Sequence, residues 1–234
     1  MTLQPLMALF ETFAETDELP GIGPALRETG GLTVTQLATT HRDALDTMVT
    51  AHAARWNAPR HVGATLWWKN YAYWASIPLA LSWAATGAFP AWTADTLRVC
   101  DLDEEYPHMR IGTAEAPGST TDLAALLDGL HTPLIDALAD VARAGRRNLW
   151  GSVAESLTRP LTTYAELLPP VDAADLLAMA GRPVRDLMEL DPPRRKTCCL
   201  WVTLPEAEAC GTCCLTSRPQ AVHPVTDALD GAAA

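Results

Sequence analysis

The chain lacks the signatures of several common functions. No Gly-x-Gly-x-x-Gly follows a strand-like run, and Gly21-Ile-Gly23-Pro24 is too short and poorly placed, so a nicotinamide or flavin site of that type is excluded. The six histidines, His41, His52, His61, His108, His131 and His223, include no i, i+4 pair, which argues against a helical histidine zinc site. Positive charge is scarce: 17 Lys and Arg stand against 28 Asp and Glu, a net charge of −11. Phosphate binding needs a basic surface, so nucleic acid is not an expected partner. No basic stretch precedes the first apolar residues, so a secretory signal is not expected. The compartment expected is the cytoplasm, with at most a peripheral place at the inner face of the membrane. No charge occurs from Asn70 to Ala94, a stretch long enough to span a bilayer of about 30 Å. Pro78, Gly87 and Pro90 interrupt it, and Ala, Ser, Thr and Trp dominate it, so a buried core helix fits better. No internal repeat is visible.

The patterning is predominantly helical. Apolar spacing predicts helices over Leu6–Thr16, Thr35–Trp56 and Pro59–Gly87, the last with a kink at Pro78 and the first followed by a Pro20–Pro24 loop. Leu97-Arg-Val-Cys-Asp-Leu and His108-Met-Arg-Ile alternate apolar and polar residues, which predicts a β-hairpin with 103–107 as its turn. Ala114 to Thr120 reads as a linker. Thr121-Asp122 caps a helix that pauses at His131-Thr-Pro133 and continues to Ala144. Further helices run from Arg146 to before Pro160, continuing in that direction over Leu161–Leu168, and from Asp172 to Ala180. The fold class expected is α+β with a small hairpin and an irregular cysteine-rich C-terminal segment. Residues 1–113 form an N-terminal region, 121–217 a C-terminal one, the two making one compact unit, and 218–234 a flexible tail.

Cysteine is concentrated rather than absent. Of the six, Cys198, Cys199, Cys210, Cys213 and Cys214 crowd into one segment in the pattern C-C-x10-C-x2-C with one thiol behind it. A chain of 234 residues can bury a core without disulfide staples, and a reducing compartment favours metal or redox roles for such a cluster. Cys210-Gly-Thr-Cys213 has the spacing of a zinc knuckle, but the other pair is adjacent, and neighbouring side chains diverge. A two-iron cluster tolerates divergent thiolates more readily, and four cysteines is the number it needs. Spacing alone leaves iron–sulfur and zinc both open.

The residues around these thiols narrow the choice. Arg195-Lys-Thr-Cys198-Cys199-Leu-Trp-Val-Thr-Leu-Pro followed by Cys210-Gly-Thr-Cys213-Cys214-Leu resembles the C-terminal motif of the FhuF-like ferric siderophore reductases. Two stretches are more loosely similar: Val62-Gly-Ala-Thr-Leu to Pro78-Leu-Ala-Leu, where that family carries a long helix, and Asn148-Leu-Trp150-Gly151-Ser152-Val-Ala-Glu-Ser156-Leu, where Ser152 stands in place of Asn. The resemblance implies a [2Fe–2S] cluster on Cys198, Cys199, Cys210 and Cys213. It also implies one-electron transfer to a siderophore-bound ferric ion, most naturally a hydroxamate chelate, and an external donor such as a ferredoxin or a flavin reductase. The competing class is a non-redox, zinc-stabilised siderophore-handling or interaction module, and a thiol-based redox sensor is a third.

Other residues are weighed against this background. Trp67, Tyr71 and Trp74 recur at helical spacing and read as core. Trp68 and Lys69 lie on another face and, with Arg110 and Trp150, are the candidate substrate contacts. Arg195 and Lys196 precede the first thiol, where cations would stabilise thiolates. Cys214 and Cys100 read as spectator thiols.

Overall fold

The computed structural model describes residues 19–102 and 108–215, so the helix expected at Leu6–Thr16, the hairpin turn 103–107 and the tail 218–234 lie outside the described residues. Strand β1 (Ile22–Arg27) comes first, where a loop was expected from Pro20 to Pro24. Its pairing is non-local, parallel to a strand far along the chain, and Ile111 N donates to Gly21 O at 2.9 Å. Strand β2 (Leu32–Thr33) leads into α1 (Val34–Ala38), where Thr33 and Gln36 form a reciprocal capping box. The chain then breaks and resumes as α2 (Arg42–Arg55), so the single helix expected over Thr35–Trp56 is two.

Helix α3 (Arg60–Thr86) is the centre of the fold. Trp68, Tyr71, Trp74, Ile77, Leu79 and Leu81 are wholly buried on it, which explains why the sequence carries no charge there. It passes through Pro78 and ends at Gly87, whose φ of 73° lets its N–H cap Trp83 O. Among the described residues no helix is long and apolar enough to cross a membrane.

Beyond β3 (Phe89–Pro90) lies the expected hairpin, β4 (Leu97–Asp101) and β5 (Met109–Thr113), in register from Leu97↔Thr113 to Asp101↔Met109. Leu97, Val99, Met109 and Ile111 turn inward. The sheet order is β1-β5-β4-β2. Strand β6 (Ser119–Thr120), within the expected linker, pairs with β3.

Helix α4 (Leu123–Ala142) starts on an Asp122 cap and runs through Pro133 without the expected pause. Helix α5 (Arg146–Thr163) likewise continues through Pro160, where it was expected to stop. Proline removes one backbone bond at each place, but buried Leu130, Leu134 and Ile135 in α4, and Leu157 and Leu161 in α5, hold both sides of the break in the core. Helix α6 (Ala173–Ala180) starts on the Asp172 cap and stops at Gly181, as its sequence predicts. A hairpin not foreseen, β7 (Met188–Leu190) and β8 (Pro193–Arg195), then delivers the chain to the cysteines. The molecule is helix-rich with small sheets, the α+β class expected.

Candidate iron–sulfur site

The site begins on α5, at a face made of small residues. Gly151 leaves room for the cysteine segment: a Cβ there would lie 1.7 Å from Thr197 Oγ1. One turn further on, Glu155 is buried and accepts from both parts of the segment. Arg195 Nη1 reaches its Oε2 at 3.0 Å, and Thr212 Oγ1 reaches its Oε1 at 2.7 Å. The Arg195 guanidinium, 1 % exposed, also donates to Ser152 Oγ at 3.0 Å and Asn148 O at 3.5 Å. Its backbone N–H donates to Thr212 O at 2.9 Å, joining the two cysteine-bearing limbs directly.

The thiols sit on turns that aim amides at sulfur. Leu200 adopts a φ of 66°, and its N–H donates to Cys198 Sγ at 3.3 Å. Trp201 N–H bonds Cys199, and Leu215 N–H reaches Cys213 Sγ at 3.4 Å. Cys213 N–H to Cys210 O at 2.9 Å closes the C-x2-C turn. Cys199 and Cys213 are buried, while Cys198, Cys210 and Cys214 are half-buried. The adjacent pair does diverge: Cys199 Sγ faces Cys210 Sγ at 4.0 Å, whereas Cys198 accepts from Cys214. Among the described residues no three His, Cys, Asp or Glu side chains converge on one metal position.

The surroundings favour the thiolate at Cys199. The hydrogen bond from Cys210 lowers the Cys199 pKa well below its ordinary value, and Lys69 and Arg195 add to this against the opposing effect of burial. Cys210 is raised, because it gives its proton to that bond, is buried, and faces the Cys199 charge. Burial raises Cys214, and the neighbouring Cys198 and Cys213 charges raise it further. Burial would raise Glu155 too, but Arg195, Lys69, Arg159 and the Thr212 bond outweigh it and hold the carboxyl at about 2. Burial alone would lower Lys69; Cys199, Glu155 and Cys210 reverse that and raise it.

The candidate residues are thus partly brought together. Arg195 and Lys69 stand beside the thiols. Lys69 acts on Cys199 and Cys210 through its charge. Lys196 is exposed, and its backbone N–H donates to Leu187 O at 2.9 Å. Trp68 is a correction: it is 0 % exposed and its Nε1 donates to Leu149 O at 2.8 Å, which leaves it no surface for a substrate. Trp150 is half-buried, its ring 6.1 Å from that of His131. Arg110 belongs to β5, ion-paired with Glu28, and lines an open cleft of about 390 Å³ with Pro24, Arg27, Glu28 and Thr29. Ser152 was noted in the sequence only as standing in place of Asn, and Glu155 and Thr212 were not singled out. The available signal was Glu155 itself, the one acid within Arg146–Thr163, set among Gly, Ser, Ala and Leu.

The donor set fits an iron–sulfur cluster: four thiols on one segment, amide N–H groups directed at sulfur, and cations beside them, the features that hold and tune such clusters. Residues 195–215 match the family described as the FhuF 2Fe-2S C-terminal domain. No curated protein is matched by the chain. Over residues 195–215 the chain is thus similar to the FhuF 2Fe-2S C-terminal domain, and a [2Fe–2S] cluster is the cofactor of that segment.

Proposed function

We propose that the protein is a ferric-siderophore reductase whose cluster is held by Cys198, Cys199, Cys210 and Cys213. When bound, the cluster supplies a single electron at low potential, about −400 mV in plant-type examples. Hard oxygen donors such as hydroxamates hold Fe(III) more tightly than Fe(II), so reducing the chelated ion loosens it and frees Fe(II) in the cytoplasm. The protein's own residues have three tasks. Amide N–H groups of Leu200, Trp201 and Leu215 spread the sulfur charge, and Lys69 and Arg195 offset it. Half-buried Cys198 and Cys210 keep one side of the segment near the surface, where a ferric chelate and an external donor, a ferredoxin or flavin reductase, can approach. Reduction of a chelated ion needs no proton-transfer residue, only proximity and a docking surface.

The observation that carries this reading is the FhuF 2Fe-2S match falling on the residues that α5 clamps through Glu155. The test is an anaerobic titration of dithionite-reduced protein with a trihydroxamate ferric chelate, in the presence of a coloured Fe(II) trap. One Fe(II) should appear per cluster reoxidised. A cluster that stays reduced beside excess chelate, or a colourless protein loaded with zinc, would rule the reading out.

A further inference from the structure

We infer that Glu155 is a positioning residue for the cluster: it fixes the two cysteine limbs relative to each other, and its charge sets the potential at which the cluster accepts an electron. The inference rests on the ligand reading above. Its starting point is a geometric problem. One limb carries Cys198 and Cys199, the other Cys210 and Cys213, and the chain between them holds only short turns, Trp201–Thr203 and 205–206. A group outside the segment grips both limbs. Glu155 binds Arg195, three residues before the first thiol, and Thr212, which lies between the last two. The backbone bond from Arg195 to Thr212 closes the loop. Each oxygen of one buried carboxylate therefore holds one limb.

The charge balance gives Glu155 its second role. Beneath the thiols Arg195 and Lys69 are cationic, and Arg159 Nη1 lies 4.0 Å from Glu155 Oε1. Two ferric ions, two sulfides and four thiolates sum to −2, and one added electron makes −3. Nearby cations favour the reduced state, and the Glu155 carboxylate opposes them. Replacing it by a neutral group of the same shape leaves the cations uncompensated.

Glu155→Gln tests both roles in the full-length protein. The cluster should form, with its midpoint potential raised by about tenfold in the reduced-to-oxidised ratio, or about 59 mV for one electron. A residue that only braced the fold would lower the melting temperature and leave the potential and spectrum of the loaded protein unchanged; an unchanged or lowered potential overturns the inference. Should that variant not fold, Thr212→Val decides the matter, because it keeps the carboxylate and frees one limb. Its iron should pass to an added chelator about tenfold faster than in the parent protein, and a parent-like rate overturns the inference. A parent protein that takes up no iron and sulfide overturns the ligand reading and this inference together, whereas a loaded parent with an indistinguishable Glu155→Gln overturns this inference alone.

Discussion

A Cβ at position 151 would sit 1.7 Å from Thr197 Oγ1 and 2.9 Å from Thr197 Cβ, so the cysteine segment is seated on α5 through a contact only hydrogen can occupy. Two effects compete when Gly151 becomes Ala. Alanine in a helix interior gains about 0.5–1 kcal/mol over glycine, while forcing a methyl into filled space costs about 1–3 kcal/mol. Overlap this severe makes the second effect win. Gly151→Ala should lower the unfolding free energy and the iron content together. Gly129 on α4 is the control, since a Cβ there meets nothing within 4 Å. Gly129→Ala should stabilise by about 0.5–1 kcal/mol. Denaturant unfolding of both variants, with iron assayed alongside, checks the pair; a stabilising Gly151→Ala would mean that Thr197 does not pack there.

At the scale of the elements, α4 carries a group that makes stability depend on pH. His131 is wholly buried, with its ring 5.5 Å from Trp68 and 5.7 Å from Tyr71, and burial lowers its pKa from 6.5 to about 3. Between those values the unfolded chain binds a proton that the folded one refuses, so stability is complete above pH 6.5 and falls as pH drops toward 3. The expected loss is about 1 kcal/mol from pH 6.5 to 5.5. His131→Phe removes this contribution, leaving that of His52, which burial and the His108 and Arg55 charges also lower to about 3. Thermal unfolding at pH 7.5, 6.5 and 5.5 should show a shallower decline in the variant, and an identical decline would contradict the assignment.

Elements that announce themselves locally were legible in the sequence. The β4–β5 hairpin alternates, α3 has its Gly87 stop, and α6 has its Asp172 cap. Those that depend on distant partners were not. Strand β1 exists through its pairing with β5, and β3 with β6 joins segments on either side of the hairpin. Prolines 133 and 160 mislead for a related reason, because the burial that carries each helix past them is tertiary. The site divides in the same way. The thiols stand together in sequence, whereas Glu155 and Lys69 reach them only through the packing of α5 and α3 against the segment.

Across the whole molecule, charge is distributed with a purpose the net value hides. The chain is acidic, at −11, yet the charge beneath the thiols is dominated by Lys69, Arg195 and Arg159. The buried Cys199 thiolate needs such partners, since an unpaired buried charge costs several kcal/mol. Long-range packing therefore brings Lys69 of α3 and Arg159 of α5 to the Glu155 carboxylate that clamps the C-terminal segment.

Iron and sulfide analysis with visible absorption across five Cys→Ser variants, purified anaerobically, decides whether four of the five neighbouring thiols hold a [2Fe–2S] cluster. The parent protein should be red-brown, with two iron and two sulfide per chain as the cluster's composition requires. Serine at position 198, 199, 210 or 213 should abolish the colour, and serine at 214 should leave it. Retained colour in any of the first four, or its loss in Cys214→Ser, would contradict the ligand set.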